Sequence, residues 1–231
     1  MLEHGQDQAA GLRALLAPPP LALLAFPLAP AQPPHWVARL AHALCALGRK
    51  PVVLDGVRGT LAGCFGLRPR RDLLDLLEGR AGFDAVAQAT ASGIHVLRAE
   101  RGVEAFAASG APAQRLLSAF AGLSHGFDDL LLALPPAELA CLAGPPHSVP
   151  VIGLAPTAVG LVQAYEAIKG LAEGFGYRRF ACVGTGEGGG DGPPRLAAAA
   201  RRFLRAQVAY AGSADDARTA TALLRLAAVP A

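Results

Sequence analysis

Two kinds of apolar pattern alternate along this chain. Short continuous runs lie at 21–26, 51–55, 94–98, 130–134, 149–154, 180–184 and 207–210, and each predicts a strand. Between them, longer stretches with helical spacing predict helices over 35–47, 71–77, 112–123, 161–175, 194–205 and 215–228. Gly48 fits a helix stop and Pro51 opens the next strand. Strands and helices in strict alternation imply stacked βα units, hence an α/β fold with a mostly parallel sheet flanked by helices on both faces. No repeat of 20–50 residues is visible.

A separate segment precedes the first strand. Asp7 is a good N-cap, Leu12, Leu15 and Leu16 fall on one helical face, and Pro18-Pro19-Pro20 forbids continuation. A helix of about ten residues is marginal alone in water. It must therefore dock on its own domain or fold on a partner, and a stiff, extended triproline favours the partner by holding it off the core. The chain divides into an N-terminal partner-binding helix with its proline linker, 1–20, and an α/β domain, 21–231.

Composition narrows the class. The 231 residues are 52% apolar and only 17% charged, ample for one substantial core. The uncharged stretch 14–34 carries too many prolines to span a membrane as a regular helix. It also imitates a secretory leader, but Glu3 and Asp7 stand where basic residues belong. Cys45, Cys64, Cys141 and Cys182 are widely spaced and read as reduced, buried thiols in a cytoplasmic protein. His35 and His42 share a helix face, yet two histidines do not make a metal site. A net charge of +3 is too mild to imply nucleic acid, and Arg68, Arg70, Arg71, Arg201 and Arg202 read as solvated.

The junction between the first strand and the first long helix carries the functional information. In α/β nucleotide-binding proteins it holds a glycine-rich loop whose N–H groups cradle phosphate beside a lysine. Here it reads Leu28-Ala29-Pro30-Ala31-Gln32-Pro33-Pro34, with three prolines, no glycine and no lysine. Proline has no N–H to donate. Asp55, at the end of the second strand, suits a cap for the following turn. The glycine-rich 184–192 lacks G-K-[ST], and Glu187 and Asp191 would repel phosphate, so it reads as a flexible loop without ligand. No cofactor, metal or catalytic residue is expected.

Several segments together carry a resemblance. Asp7-Gln8-Ala9-Ala10-Gly11-Leu12-Arg13 is similar to the D-Q-A-x-x-L-R motif of the FlhG family, MinD/ParA-type regulators of flagellar number and placement. Gly66-Leu67-Arg68-Pro69-Arg70-Arg71-Asp72-Leu73 with Leu77-Glu78-Gly79 resembles the G-L-x-P-x-x-D-L…L-E-G stretch of MinD-type proteins. Pro156, Ala164-Tyr165 and Ile168-Lys169 resemble T-P-E-P-T-x-x-x-D-A-Y-x-x-I-K, with Thr157 and Ala158 in place of Glu-Pro. Gly176-Tyr177-Arg178-Arg179-Phe180 also fits. The resemblance implies a MinD-like P-loop NTPase fold that has lost its phosphate loop. Over the family's K-G-G-x-G-K-T it sets Leu28 at the signature lysine, Pro33 at the second lysine and Pro34 at the Mg²⁺-binding threonine. D-x-D becomes Asp55-Gly56-Val57, and the aspartate expected before T-x-x-G becomes Ala133, followed by Leu134-Pro135-Pro136.

The resemblance therefore implies a pseudo-ATPase in which Asp55 is vestigial. It also implies a partner, the signal-recognition-type GTPase FlhF, whose GTP hydrolysis the N-terminal segment of FlhG-type proteins stimulates. Gln8 would orient the attacking water. Leu12 and Leu15 would anchor in an apolar groove, Arg13 would fix the register, and Asp7 and Ala9 complete the motif. The last helix, 215–228, reads as packed on the sheet rather than as a membrane anchor. A cytoplasmic protein recruited to the pole or flagellar base by its partner is expected. Contacts with the flagellar switch or a flagellar transcription activator stay open. So do weak MinD-type ATPase activity and a scaffold role in another polar or surface-polysaccharide system.

Overall fold

The computed structural model describes residues 21–28, 34–123, 126–145, 148–186 and 190–228. Within them the strands run β1 Ala22–Pro27, β2 Pro51–Asp55, β3 Gln88–Ala89, β4 His95–Arg98, β5 Asp129–Leu134, β6 Val151–Leu154, β7 Arg179–Gly184 and β8 Gln207–Ser213. The helices are α1 His35–Ala46, α2 Thr60–Cys64, α3 Leu73–Leu77, α4 Phe83–Val86, α5 Glu100–Ala108, α6 Ala113–Ala121, α7 Pro136–Leu142, α8 Ala158–Phe175, α9 Gly192–Ala199 and α10 Ala217–Ala227. The predicted N-terminal helix and its linker lie outside the described residues.

The strand order is β3-β4-β2-β5-β1 in one group and β6-β7-β8 in another, and a parallel bridge from Ala25 to Pro150 sets β6 beside β1. Every pairing is parallel except the short β3 on β4. Alternate residues of each strand point to opposite faces. Leu24, Phe26, Val53, Leu131, Ala133, Ala181 and Val183 face α1, α2 and α10. Leu130, Leu132 and Leu134 face Leu73, Val103, Phe106, Leu116 and Leu139 on the opposite side. Next to these, Ile152, Leu154, Phe180 and Cys182 pack against α8 and α9.

Several sequence expectations change here. Helices α2 and α4, α5 and α7, and strand β3 were not read from the pattern. Strand β8 extends to Ser213 instead of stopping at 210, and α9 ends in a π-helical turn, Ala200–Leu204, with Arg205 at φ 52°. The thiols are free but not all buried: Cys182 is, Cys45 is half-buried, and Cys64 and Cys141 are exposed. Cys64 closes the short α2, which has room to bury only Leu61 and Ala62. Helix α10 packs on the sheet as expected, burying Thr219, Ala220 and Leu223. No helix among the described residues is long and apolar enough to cross a membrane.

Polar joints hold the layers in place. Asp129, fully buried at the start of β5, is gripped by Arg49 with Nε–Oδ2 at 2.7 Å and Nη2–Oδ1 at 2.6 Å. Burial pushes its carboxyl up, against the pull of that guanidinium. Asp72 caps α3 through the Leu74 N–H at 3.0 Å and reaches the Gly102 N–H of α5 at 2.7 Å. A Cβ on Gly102 would fall 2.6 Å from that of Leu73, so only glycine lets the two helices meet this closely. Tyr177 buries its ring and donates its hydroxyl to the Ala143 carbonyl at 2.7 Å.

Candidate functional site

In open α/β sheets, ligands bind beyond the carboxyl ends of the strands. Two stretches of that rim can be compared, one over β1, β5 and β2 and one over β6, β7 and β8.

At the first, Leu28 leaves β1 only 1% exposed and packs in the core under α1. Its N–H donates to the Leu134 carbonyl at 2.9 Å, fastening β1 to β5. Helix α1 begins after Pro34, which is buried, and no side chain among the described residues caps its first turn. The Pro34 carbonyl accepts from Val37 N–H at 2.9 Å, so the proline enters the helix as an acceptor alone. Trp36 sets its ring edge-on to Phe26, with centroids 5.5 Å apart, and spreads over Gly153 of β6, where a Cβ would lie 2.9 Å from the indole. The head of α1 is thus built of apolar bulk.

Asp55 has no exposed surface. One carboxylate oxygen accepts the Val57 N–H at 3.0 Å, and the other accepts the Ala62 N–H, in the first turn of α2, at 2.7 Å. Burial pushes its carboxyl up, while these N–H donors and Arg98 act in the opposite direction. The carboxylate therefore organises the β2–α2 turn. Gly56 donates its N–H to the Ala133 carbonyl at 2.9 Å, and a Cβ there would fall 2.5 Å from Leu134 Cδ2. So Leu28, Asp55 and Ala133 are brought to three neighbouring strand ends, which backbone hydrogen bonds and apolar side chains close off. Asp7, Gln8, Ala9, Leu12, Arg13, Leu15 and Pro33 lie outside the described residues. Beside Gly56 is a cavity of about 220 Å³ walled by Arg58, Glu100, Glu104 and Glu138, in which Glu138 Oε2 is buried without a hydrogen-bond partner among the described residues.

The second stretch is hollow. Beyond β6, β7 and β8 lies a cavity of about 520 Å³, lined by Pro156, Thr157, Gly184, Gly186, Asp191, Arg195 and Tyr210 among others. Thr157 caps α8 by accepting from Gly160 N–H at 3.0 Å, and a Cβ on Gly160 would meet the Ala155 carbonyl at 2.6 Å. From the sequence alone 184–192 is a flexible loop without ligand, and no local motif marks Arg195 or Tyr210. A signal was available in the glycines, because small residues facing one another across strand ends leave space. Among the described residues no group of three or more His, Cys, Asp or Glu is placed to hold a metal ion.

No protein-family model matches the chain, and no curated protein matches it by sequence. Solved structures do. MinD in the MinC:MinD cell division complex of Aquifex aeolicus superposes with a TM-score of 0.62 at 17% identity, covering 90% of this chain and 97% of that one. The fold is that of the MinD/ParA-type P-loop ATPases. Cobyrinic acid a,c-diamide synthase from Mycobacterium smegmatis matches at TM-score 0.58 and 19% identity, covering 90% of this chain and 92% of that one. The Cyanothece McdA(D38A)–ATP complex matches at 0.55 and 17%, covering 89% and 87%. Three of the segments that carried the sequence resemblance lie among the described residues and serve as joints of this MinD-like fold: Asp72 links α3 to α5, Thr157 starts α8, and Ala164, Ile168 and Tyr177 are core.

Proposed function

We propose that this chain is a non-catalytic MinD-like regulator that binds an FlhF-type GTPase through its N-terminal D-Q-A-x-x-L-R segment and stimulates GTP hydrolysis. The observation that carries the pseudo-ATPase half is the rim over β1, β5 and β2. A buried Leu28, a Pro34 without N–H, an Asp55 engaged by two backbone amides and the apolar Ala133-Leu134-Pro135 offer neither cation nor hydroxyl to a triphosphate. The activator half rests on Asp7, Gln8, Ala9, Leu12, Arg13 and Leu15 and their resemblance to the FlhG motif. In this reading the α/β body acts as a carrier, and a glutamine supplied by the N-terminal segment orients water in the partner's site.

The test is GTP turnover by the cognate FlhF, alone, with this protein, and with its Gln8→Ala variant. Stimulation by the intact chain that the variant lacks supports the reading, and equal turnover in all three overturns it.

The cavity beyond β6, β7 and β8 favours a second reading, a weak MinD-type ATPase, because its volume can accommodate a nucleoside-sized group. Titration calorimetry with ATP and Mg²⁺ separates the two. Heat of binding at millimolar ATP, with slow hydrolysis, would support this second reading.

A further inference from the structure

Helices α8 and α9 meet along a groove that their own packing leaves open. Leu161, Val162 and Tyr165 of α8 form one wall, and Leu196 and Ala199 of α9 with Phe203 of its π-helical end form the other. The space between them is about 350 Å³. Val159, Phe203 and Val162 are the three most exposed large apolar side chains among the described residues, at 66%, 65% and 55%. All three belong to these two helical segments, so their exposure forms a patch rather than a scatter. The π-helical turn helps to create it: Leu204 is buried while Phe203 stands in solvent. The Ala206 N–H on the Ala200 carbonyl at 3.2 Å, with Arg205 at φ 52°, closes that turn.

The charge around the groove has one sign. From Gly192 to Ala214 the sequence holds four arginines, Arg195, Arg201, Arg202 and Arg205, and no acid. All four are exposed, and none forms an ion pair among the described residues. Asp191, one turn ahead, meets Arg195 through backbone alone, its carbonyl accepting the Arg195 N–H at 3.1 Å. On α8, helical spacing sets Glu166 one turn beyond Val162 and Lys169 one turn beyond Tyr165, and these two charges offset each other. Arg195 lines the head of the groove, and at its foot the Arg202 guanidinium stands 5.1 Å from the Phe203 ring centroid. The two arginines are seven residues apart, about 10 Å along a helix.

An apolar cleft with a cation at each end is complementary to an amphipathic helix that carries acids. A second copy of this chain would bring the same positive face and be repelled. A cleft between two helices also receives a rod better than it meets a flat bilayer.

We propose that the groove between α8 and α9 docks an acidic amphipathic helix of a partner protein. The partner's apolar stripe fills the cleft between Val162 and Phe203, and two of its carboxylates, two turns apart, meet Arg195 and Arg202. The site is separate from the N-terminal segment and from the rim over β1, β5 and β2.

Fluorescence anisotropy of the full chain with a labelled model helix tests this. The probe is an alanine-rich peptide with glutamates seven residues apart and leucines between them, and its counterpart has lysines in place of the glutamates. The glutamate peptide should bind in the micromolar range and the lysine peptide should not. Arg195→Glu with Arg202→Glu should weaken the glutamate peptide at least about tenfold and admit the lysine peptide. Phe203→Asp should weaken the glutamate peptide by a similar factor, with melting and far-ultraviolet dichroism unchanged because the side chain is exposed. Arg70→Glu, an equal charge change at an exposed position outside the groove, should alter affinity less than about twofold. No binding of the glutamate peptide, or equal weakening by Arg70→Glu, overturns the proposal. Sedimentation with phosphatidylglycerol vesicles that Phe203→Asp abolishes, without peptide binding, reassigns the face to a membrane and overturns it too. None of these readouts involves GTP turnover, so the groove and the activator reading fail separately.

Discussion

The carboxyl ends of β1, β5 and β2 and those of β6, β7 and β8 belong to one parallel sheet yet are finished in opposite ways. The first group is largely filled by Leu28, Trp36, Leu134 and the buried turn around Asp55 and keeps the smaller cavity of about 220 Å³ beside Gly56, whereas the second surrounds about 520 Å³ of open space lined by glycines, Arg195 and Tyr210. The fold dictates where a rim lies but not what fills it. At one end the side chains serve stability, and at the other they leave room for a ligand.

Four substitutions sharpen or break that contrast, beginning with the most damaging. Leu28→Lys would bury an ammonium without a partner and should cost about 3–5 kcal/mol in urea unfolding. A loss below about 1 kcal/mol would show that the packed end opens to water. Asp55→Asn replaces an acceptor of a backbone N–H by a donor and should cost about 1–3 kcal/mol.

This second change also has a pH signature. Burial raises the Asp55 carboxyl in the folded chain, so its contribution is full below the unfolded carboxylate value and falls as pH rises through the folded one. The gap between wild type and Asp55→Asn should therefore narrow from acid towards neutral pH in thermal melts. A gap that widens would mean the carboxylate is stabilised as an anion.

Thr157→Ala removes the cap of α8 at the mouth of the hollow end and should cost about 1 kcal/mol by chemical denaturation. Arg195→Ala, exposed beside the same cavity, should change stability by less than about 0.5 kcal/mol. It should nevertheless weaken any anionic ligand that calorimetry finds there.

Much of the architecture was legible because parallel strands flanked by helices announce themselves as apolar runs between periodic stretches. All seven strands of the main pattern were read, but β3 escaped, since two residues carry no periodicity. Helix α5 was hidden by Gly102, a poor helix former kept for its contact with Leu73. Helix α7 was hidden by Pro135-Pro136, which look like a break although proline suits a first turn. At the packed end, the residues at 28, 34, 55 and 133 could be read one by one, because each has a chemistry the position either supplies or lacks. The hollow end could not. A cavity is a property of what surrounds it, and neither Arg195 nor Tyr210 belongs to any local motif.

Cys182 has a practical consequence. Its thiol lies between β6 and β8 with its pKa pushed up to about 12 by burial, whereas Cys64 and Cys141 are exposed. A thiol reagent at neutral pH will mark the outer pair in the native protein, while Cys182 must wait until β7 parts from its neighbours. Its rate of labelling is thus a built-in clock for the opening of the sheet.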